Sequence, residues 1–404
     1  MSGKQGPCRI LFHNSYTGLH GSQKMALQLL AGLPQGQFEA WAGAPFWTDF
    51  LSSGALPDAR RINFQLPEAF RSFRGGLLRR NPVLLFWQVL TLLLPFWWRA
   101  WRRLRRHEID LVYASNERCL FFIGVPARFA GLPVLWHIQS GFRKGRPWVH
   151  RLASRLATRA VAVSVAVRED ARKFVRDGLW RQMQVIYNGL PDVVTASKPP
   201  RSGDSTPLKL IFVGSVTPEK GLHVLLKTLF DLPANLLQNL TLEVAGVFQE
   251  DWYRAYVEQM AAGLPVQFLG YRTDVPELLA ASDVLVVPSI EKEVFHLPDG
   301  GTQSVQWKEG FNLVALEGMR AGIPVLAAAS YGLREVVGDG ETGLLFEPGN
   351  PTDLKDKLLK LTQNEVLRDK LGRQGRQRFL QQFSLEKMRE QFYKVFQTTC
   401  EDGE

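Results

Sequence analysis

Two glutamates eight positions apart, Glu309 and Glu317, frame the stretch EGFNLVALEGMRAGIPV. The acid–glycine start is loop-like, NLVALEGMRA has helical character, and the apolar run after the Gly-Ile-Pro break reads as a buried strand. With Glu309 in the loop and Glu317 in the second helical turn, both carboxylates face whatever lies at the helix N-terminus. Unpaired N–H groups and the positive end of the helix dipole favour a phosphate there. A carboxylate binds phosphate poorly but accepts hydrogen bonds from sugar hydroxyls, so the chemistry suggested is that of a sugar joined to a diphosphate. The spacing equally describes an ordinary loop–helix–strand unit with two solvated glutamates, and by itself it does not choose. Upstream, GSVTPEKG follows an apolar run ending at Val213. Gly214 lets a ligand approach the backbone, and Lys220 is a cation able to neutralise a departing diphosphate. Taken alone, Lys220 is better read as a surface lysine ahead of a helix, and it is the conjunction with Glu309 and Glu317 that favours a site.

The elements that must position these residues alternate along the chain. Arg9–His13 reads as a first strand, followed by a glycine-bearing turn around Gly18 and Gly21 and a helix. That turn could hold phosphate, although the third glycine of the dinucleotide fingerprint is absent. Strands are then expected at 38–44, 60–64, 109–115, 133–139 and 160–164, with helices between them and His137 at one strand end. The polar, Pro/Ser/Gly-rich segment 192–207 reads as a linker. Beyond it the strand–helix rhythm restarts. Continuous apolar strands alternating with helices imply parallel sheets covered on both faces. The expected architecture is therefore α/β with two Rossmann-like domains, 1–191 and 208–384, facing a central cleft, and a C-terminal helix (385–404) returning toward the first. Ligands in such sheets bind at strand C-termini.

Length and composition agree with this. At 404 residues the chain exceeds one typical core, and 45% hydrophobic and 22% charged residues are ordinary for a globular protein. The net charge is +10, yet no nucleic-acid-binding motif is present, which argues against that partner. Cys8, Cys119 and Cys400 are odd in number, far apart and without metal-ligand spacing, so they read as reduced thiols in a cytosolic protein. The first residues are too poor in apolar side chains for a signal peptide.

The stretches FVGSVTPEKGLHVLL, FLGYRTDVPELLAASDVLVVPS, EGFNLVALEGMRAGIPVLAA and GLREVVGDGETGLLFEPGN together resemble the C-terminal half of glycosyltransferase family 4. The resemblance extends forward through VIYNGL, AVSVAVRED, PVLWHI, DLVYASN and GLHGSQKMALQLL, in order and over nearly the whole chain. It implies a retaining, metal-independent enzyme of GT-B fold that uses a nucleotide-diphosphate sugar as co-substrate and no bound cofactor. Residue by residue, Glu309 matches the glutamate beside the donor sugar, and Glu317 the one holding the ribose hydroxyls. Gly310, Phe311, Asn312 and Leu313 match the backbone touching sugar and phosphate, and Lys220 the lysine on the diphosphate. Gly214 and Ser215 belong to the same loop, Gly21 matches the N-terminal glycine loop, and His137 a histidine near the reacting sugar. Tyr271 and Arg272 occupy the loop that contacts the base. Three departures stand out. Ser215 stands where most members have arginine, Gln23 replaces a common acid, and Ile290–Lys308 is an insertion of 19 residues placed to act as a lid, a specificity loop or an inert surface addition.

One further stretch needs a role. Pro82–Trp98 is apolar except for Gln88 and Thr91, and nine arginines without a single acid or lysine lie between Arg71 and Arg106. As one helix, kinked at Pro95, Pro82–Trp98 would reach roughly 25 Å, short of a ~30 Å hydrocarbon core. Spanning would also divide one sheet between two compartments. Trp97, Trp98 and Trp101 beside Arg99, Arg102 and Arg103 instead suit the anionic interface of a membrane. The resulting expectation is a transferase on the cytoplasmic membrane face with a lipid-linked, sugar or other hydroxyl acceptor. A nucleotide-sugar epimerase and a non-catalytic membrane-associated scaffold are the alternatives.

Overall fold

The structure is a computed structural model, and it describes residues 6–15, 21–46, 48–67, 70, 87, 89–142, 147–193, 207–297 and 300–401. The chain divides into two compact units. The first comprises 1–163, 167–186 and 388–404, and the second 164–166 and 187–387.

The first unit is built on β1 (Cys8–His13), β2 (Phe38–Ala44), β3 (Arg61–Asn63), β4 (Leu111–Ala114), β5 (Val134–Ile138), β6 (Arg159–Ala162) and β7 (Gln184–Val185). All pair in parallel in the order β3-β2-β1-β4-β5-β6-β7. β4 and β5 are buried along their whole length, as the continuous apolar runs require when helices cover both faces. The last helix, Leu385–Glu401, has the Ser384 hydroxyl accepting from Lys387 N at 3.3 Å, and from Met388 onward it belongs to this unit. Phe392 and Phe396 pack against Tyr113, both with ring centroids 6.2 Å away.

Two expectations are corrected in this unit. Cys8 and Cys400 are joined by a disulfide across 392 positions, with Cα atoms 6.7 Å apart, and only Cys119 is a free, buried thiol. Sequence spacing carried no trace of this, because the pairing depends on the last helix returning to β1. The argument for a cytosolic compartment from three reduced thiols therefore falls. The apolar stretch is also not one kinked helix over its described part. A π-helical turn, Val89–Leu93, runs directly into the α-helix Leu94–Arg106, so the backbone pattern changes just ahead of Pro95, which has no N–H to give to the preceding turn. Residues 82–86 and 88, Arg71, Arg74, Arg79 and Arg80, and linker residues 194–206 lie outside the described residues.

The second unit carries β8 (Leu208–Val213), β9 (Leu240–Ala245), β10 (Val266–Gly270), β11 (Val284–Val287), β14 (Val325–Ala328) and β15 (Gly343–Phe346). They form a parallel sheet in the order β10-β9-β8-β11-β14-β15. Its core runs from Leu210 and Phe212 through Val284 and Val286 to Leu326 and Phe346. The insertion is not an irregular loop. It forms an antiparallel hairpin of β12 (Lys292–His296) and β13 (Thr302–Gln306), and Phe295 joins the core.

Candidate functional site

Strand order in the second sheet reverses direction between β8 and β11, which are direct neighbours. Connections from adjacent strands diverge at such a point and leave a crevice beyond the strand C-termini. Lys220 lies on the loop leaving β8, and Glu309 on the segment leaving β11 after the hairpin. They meet there: Lys220 Nζ is 2.5 Å from Glu309 Oε2. Glu309 is 8% exposed, and the Lys220 side chain 26%. Asn312 Nδ2 lies 3.4 Å and Trp307 Nε1 3.5 Å from the same carboxylate oxygen.

Two glycines allow this closeness. Gly221 follows Lys220 with φ +71°, and a Cβ there would lie 1.9 Å from the Pro288 carbonyl oxygen. A Cβ on Gly332 would lie 2.2 Å from the carbonyl oxygen of Gly310. Each lets one loop press on the next, where the Ile290 N–H donates to Glu219 O and the Gly332 N–H to Glu309 O, both at 3.0 Å. Any other residue at Gly221 would be strained and would collide.

Asn312 is the N-cap of the helix Leu313–Ala321, its side chain accepting from Ala315 N at 2.9 Å. One of the helix's unpaired N–H groups is thus satisfied by the protein itself. Glu317 occupies the second turn and is half-buried. Phe311 is buried, stacked on Tyr187 with centroids 5.7 Å apart. Gly214 adopts φ +133°, with open space where a Cβ would stand. Ser215 is exposed and accepts from Gln249 Nε2 at 3.1 Å. Tyr271 is 75% exposed, and Arg272 pairs with Asp274.

The remaining candidates belong to the first unit. Gly21 opens the helix Gly21–Ala31, and residues 16–20 ahead of it are outside the described set. His137 is 1% exposed at the end of β5. Its Nδ1 lies 2.5 Å from the Tyr113 hydroxyl, its ring is 5.0 Å from that of Phe392, and its Nε2 has no partner among the described residues. Burial pulls its pKa down to about 3, so the imidazole is neutral at physiological pH. Sequence reasoning overlooked a polar cluster where β1 and β4 end, the reversal point of the first sheet. There Ser15 Oγ donates to Asn116 Oδ1 at 2.8 Å, Ser115 Oγ donates to His13 O at 3.0 Å, and Gln23 Nε2 donates to Asn14 Oδ1 at 3.3 Å. Consecutive polar residues closing two apolar strands were the available signal. Gln23, which replaces an acid, is buried in this network.

On the basic helix, Phe96, Ala100 and Leu104 are buried at i, i+4, i+8 spacing, while Trp87, Leu90, Leu94 and Trp98 are exposed. Arg102 lies 4.9 Å over the Trp98 ring, and Arg99 is exposed. Trp97 packs half-buried on Phe121, and Trp101 is also half-buried. Arg103 turns inward and donates to the Asn63 carbonyl, so it leaves the set of outward-facing cations. No helix among the described residues is long and apolar enough to cross a membrane.

The profile described as Glycosyltransferase Family 4 matches residues 21–192, and that described as Glycosyl transferases group 1 matches 195–378. The two profiles together match most of the chain, which is thereby related to the glycosyltransferases of family 4 and group 1. It is 30% identical over 246 residues to an uncharacterized glycosyltransferase of Methanocaldococcus jannaschii, covering 60% of each chain. It is 28% identical over 268 residues to the phosphatidyl-myo-inositol mannosyltransferase of Mycobacterium leprae, covering 64% of this chain and 62% of the relative. These matches span less than two thirds of either relative's length. The UDP-Gal:alpha-D-GlcNAc-diphosphoundecaprenol alpha-1,3-galactosyltransferase of Escherichia coli aligns at 23% identity over 86% of both chains. Among solved structures, Anabaena HepE in complex with UDP superposes with a TM-score of 0.76 at 21% identity, covering 96% of this chain and 100% of HepE. That likeness establishes the GT-B fold of paired parallel-sheet units.

Proposed function

We propose that this GT-B protein transfers a hexose, with retention and without a metal, from a nucleoside-diphosphate sugar to a hydroxyl acceptor. The observation that carries the reading is the Lys220–Glu309 pair at the strand-order reversal of the second sheet. An ammonium group has three N–H donors. Glu309 takes one and fixes the direction of the side chain, and the others are available to a diphosphate. As the sugar–phosphate bond breaks, negative charge grows on the diphosphate, and a cation already in place stabilises it without reorganising. Glu309 lies beside the sugar, Glu317 accepts from the ribose, and the backbone of Gly310, Phe311, Asn312 and Leu313 lines sugar and phosphate. Gly214 and Ser215 approach the phosphates, and Tyr271 and Arg272 the base. Gly21 and His137 are assigned to the donor phosphates and the reacting sugar. Structural relatives crystallised with UDP and with UDP-glucose make a uridine donor the first to test.

The acceptor is proposed to be a lipid-linked or polysaccharide precursor presented at an anionic membrane surface. The exposed row of Trp87, Leu90, Leu94 and Trp98, edged by Arg99 and Arg102, supports this. The cytoplasmic face is the proposed location, and thiol labelling in intact cells tests it against the Cys8–Cys400 disulfide. Calorimetry with UDP, GDP and ADP, followed by turnover of the matching nucleotide sugars, tests the activity. Binding of one diphosphate and turnover that survives a chelator are expected. Interconversion of sugar isomers without release of the diphosphate would make the protein an epimerase, and failure of every nucleotide to bind would leave a scaffold.

A further inference from the structure

The inserted hairpin is fastened at both ends. On β12, Phe295 is 5% exposed and sits among the rings of His223, Trp252, Tyr253 and Tyr256, with centroids 5.1 to 6.2 Å away. Glu293 Oε2 lies 2.8 Å from His223 Nε2, and the Tyr253 hydroxyl lies 2.8 Å from Nδ1, so the imidazole is held from both sides. His223 is on the helix Leu222–Phe230, which starts two residues after Lys220. At the base of the hairpin, the backbone N–H of Trp307 donates to Glu291 O at 2.8 Å. Glu291 Oε1 accepts from Tyr331 N at 3.3 Å, and Ile290 N donates to Glu219 O. An arm tied to both neighbouring loops and to the core does not behave as a free lid.

What the arm delivers is Trp307. Its Nε1–H, which can only donate, points at Glu309 Oε2 from 3.5 Å, and Lys220 Nζ stands 5.7 Å from its ring centroid. One side chain therefore touches both members of the ion pair, through a hydrogen bond to the anion and a ring face for the cation. We propose that the insertion is a fixed brace and that Trp307 is a positioning residue, setting Glu309 and Lys220 against the transferred sugar so that the insertion governs which sugar is moved. This rests on the proposed transferase function. The brace reaches Glu309, on the sugar side, and the contacts named above do not include Tyr271 or Arg272, assigned to the base. Its effect should fall more on the sugar than on the base.

The test compares wild type with Trp307→Phe, which keeps a ring and loses the N–H, with Trp307→Ala, and with Phe295→Leu, which loosens the brace away from the site. UDP affinity and UDP release from UDP-glucose and UDP-galactose are measured, with a melting curve for each variant. UDP affinity within about twofold of wild type is expected for Trp307→Phe, which keeps a ring face for Lys220, and a modest loss for Trp307→Ala, which removes it. Trp307→Phe should lower kcat/KM about tenfold, the loss of one hydrogen bond to a charged group, mostly through kcat, and Trp307→Ala should lower it further. The ratio of the two sugars' turnover should shift in both, and in the same direction with Phe295→Leu. Parallel loss of UDP affinity, turnover and melting temperature would make Trp307 merely structural and overturn the proposal. So would variants that keep the wild-type kcat/KM and sugar ratio. Wild type that binds no nucleoside diphosphate would defeat the transferase reading itself, and this inference with it.

Discussion

Lys220 and Glu309 constrain each other, and removing either should have a different signature. Lys220→Ala removes the cation that meets the growing charge on the leaving group, so turnover of the accepted donor should fall by roughly 10²–10³. Glu309→Gln keeps the shape and frees Lys220 from its 2.5 Å ion pair. Nucleoside diphosphate binding should survive that change while turnover drops, and calorimetry beside a diphosphate-release assay separates the two effects. Ser215 gives the converse experiment. It is exposed, its hydroxyl accepts from the Gln249 amide, and it follows Gly214, around which there is open space. Ser215→Arg should therefore be accommodated and should tighten diphosphate binding several-fold, the order of one added charge-assisted hydrogen bond. Weaker binding in a variant with an unchanged melting curve would mean that the loop does not face the phosphates.

At the scale of elements, glycines and one crosslink carry the fine geometry. Gly221→Ala forces a side chain into φ +71° and within 1.9 Å of the Pro288 carbonyl oxygen. The cost should be at least about 2–3 kcal/mol, seen as a lower denaturation midpoint, with Lys220 displaced and diphosphate affinity reduced. Reduction of Cys8–Cys400, or Cys400→Ser, should cost about 2–5 kcal/mol of stability, seen as a lower melting temperature in dithiothreitol. Thiol counting on the native oxidised protein should find none reactive, since Cys119 is buried, and one after denaturation. These elements also show what the sequence could reveal. The runs of β4, β11 and β14 are wholly buried, so their composition alone announces a covered parallel sheet. The placement of Glu309 in a loop and Glu317 in the second turn of a helix was legible because loop, N-cap and second turn are local in sequence. The disulfide, the anchorage of the hairpin and the inward turn of Arg103 were not legible. Each depends on a partner tens to hundreds of residues away: Cys400 for Cys8, His223 for Glu293, and Asn63 for Arg103. Spacing rules describe neighbours on one helix or strand, and say nothing of these.

For the molecule as a whole, the net charge of +10 matters through where it is exposed. On the helix Leu94–Arg106 the residues Phe96, Ala100 and Leu104 are buried along one face, Phe96 against Phe122, which turns Leu94 and Trp98 outward with Arg99, Arg102, Arg105 and Arg106. Arg102 and Arg105 lie over Trp98 and Trp101, so cationic heads and aromatic faces are presented together. Such a face gains from apolar insertion and from attraction to anionic headgroups, and these two contributions respond differently to salt. Each arginine near an anionic surface contributes about 1 kcal/mol. Replacing Arg99, Arg102 and Arg105 by Gln should thus weaken sedimentation with phosphatidylglycerol vesicles by about 100-fold at low salt and make little difference at high salt. Trp98→Ser should weaken binding at every salt concentration, because the indole's contribution is not screened. Arg103→Gln serves as the internal control. Its guanidinium is spent on the Asn63 carbonyl, so it should lower stability while leaving vesicle affinity close to that of wild type. Equal vesicle loss from Arg103→Gln and Arg102→Gln would show that the helix does not present this face to lipid.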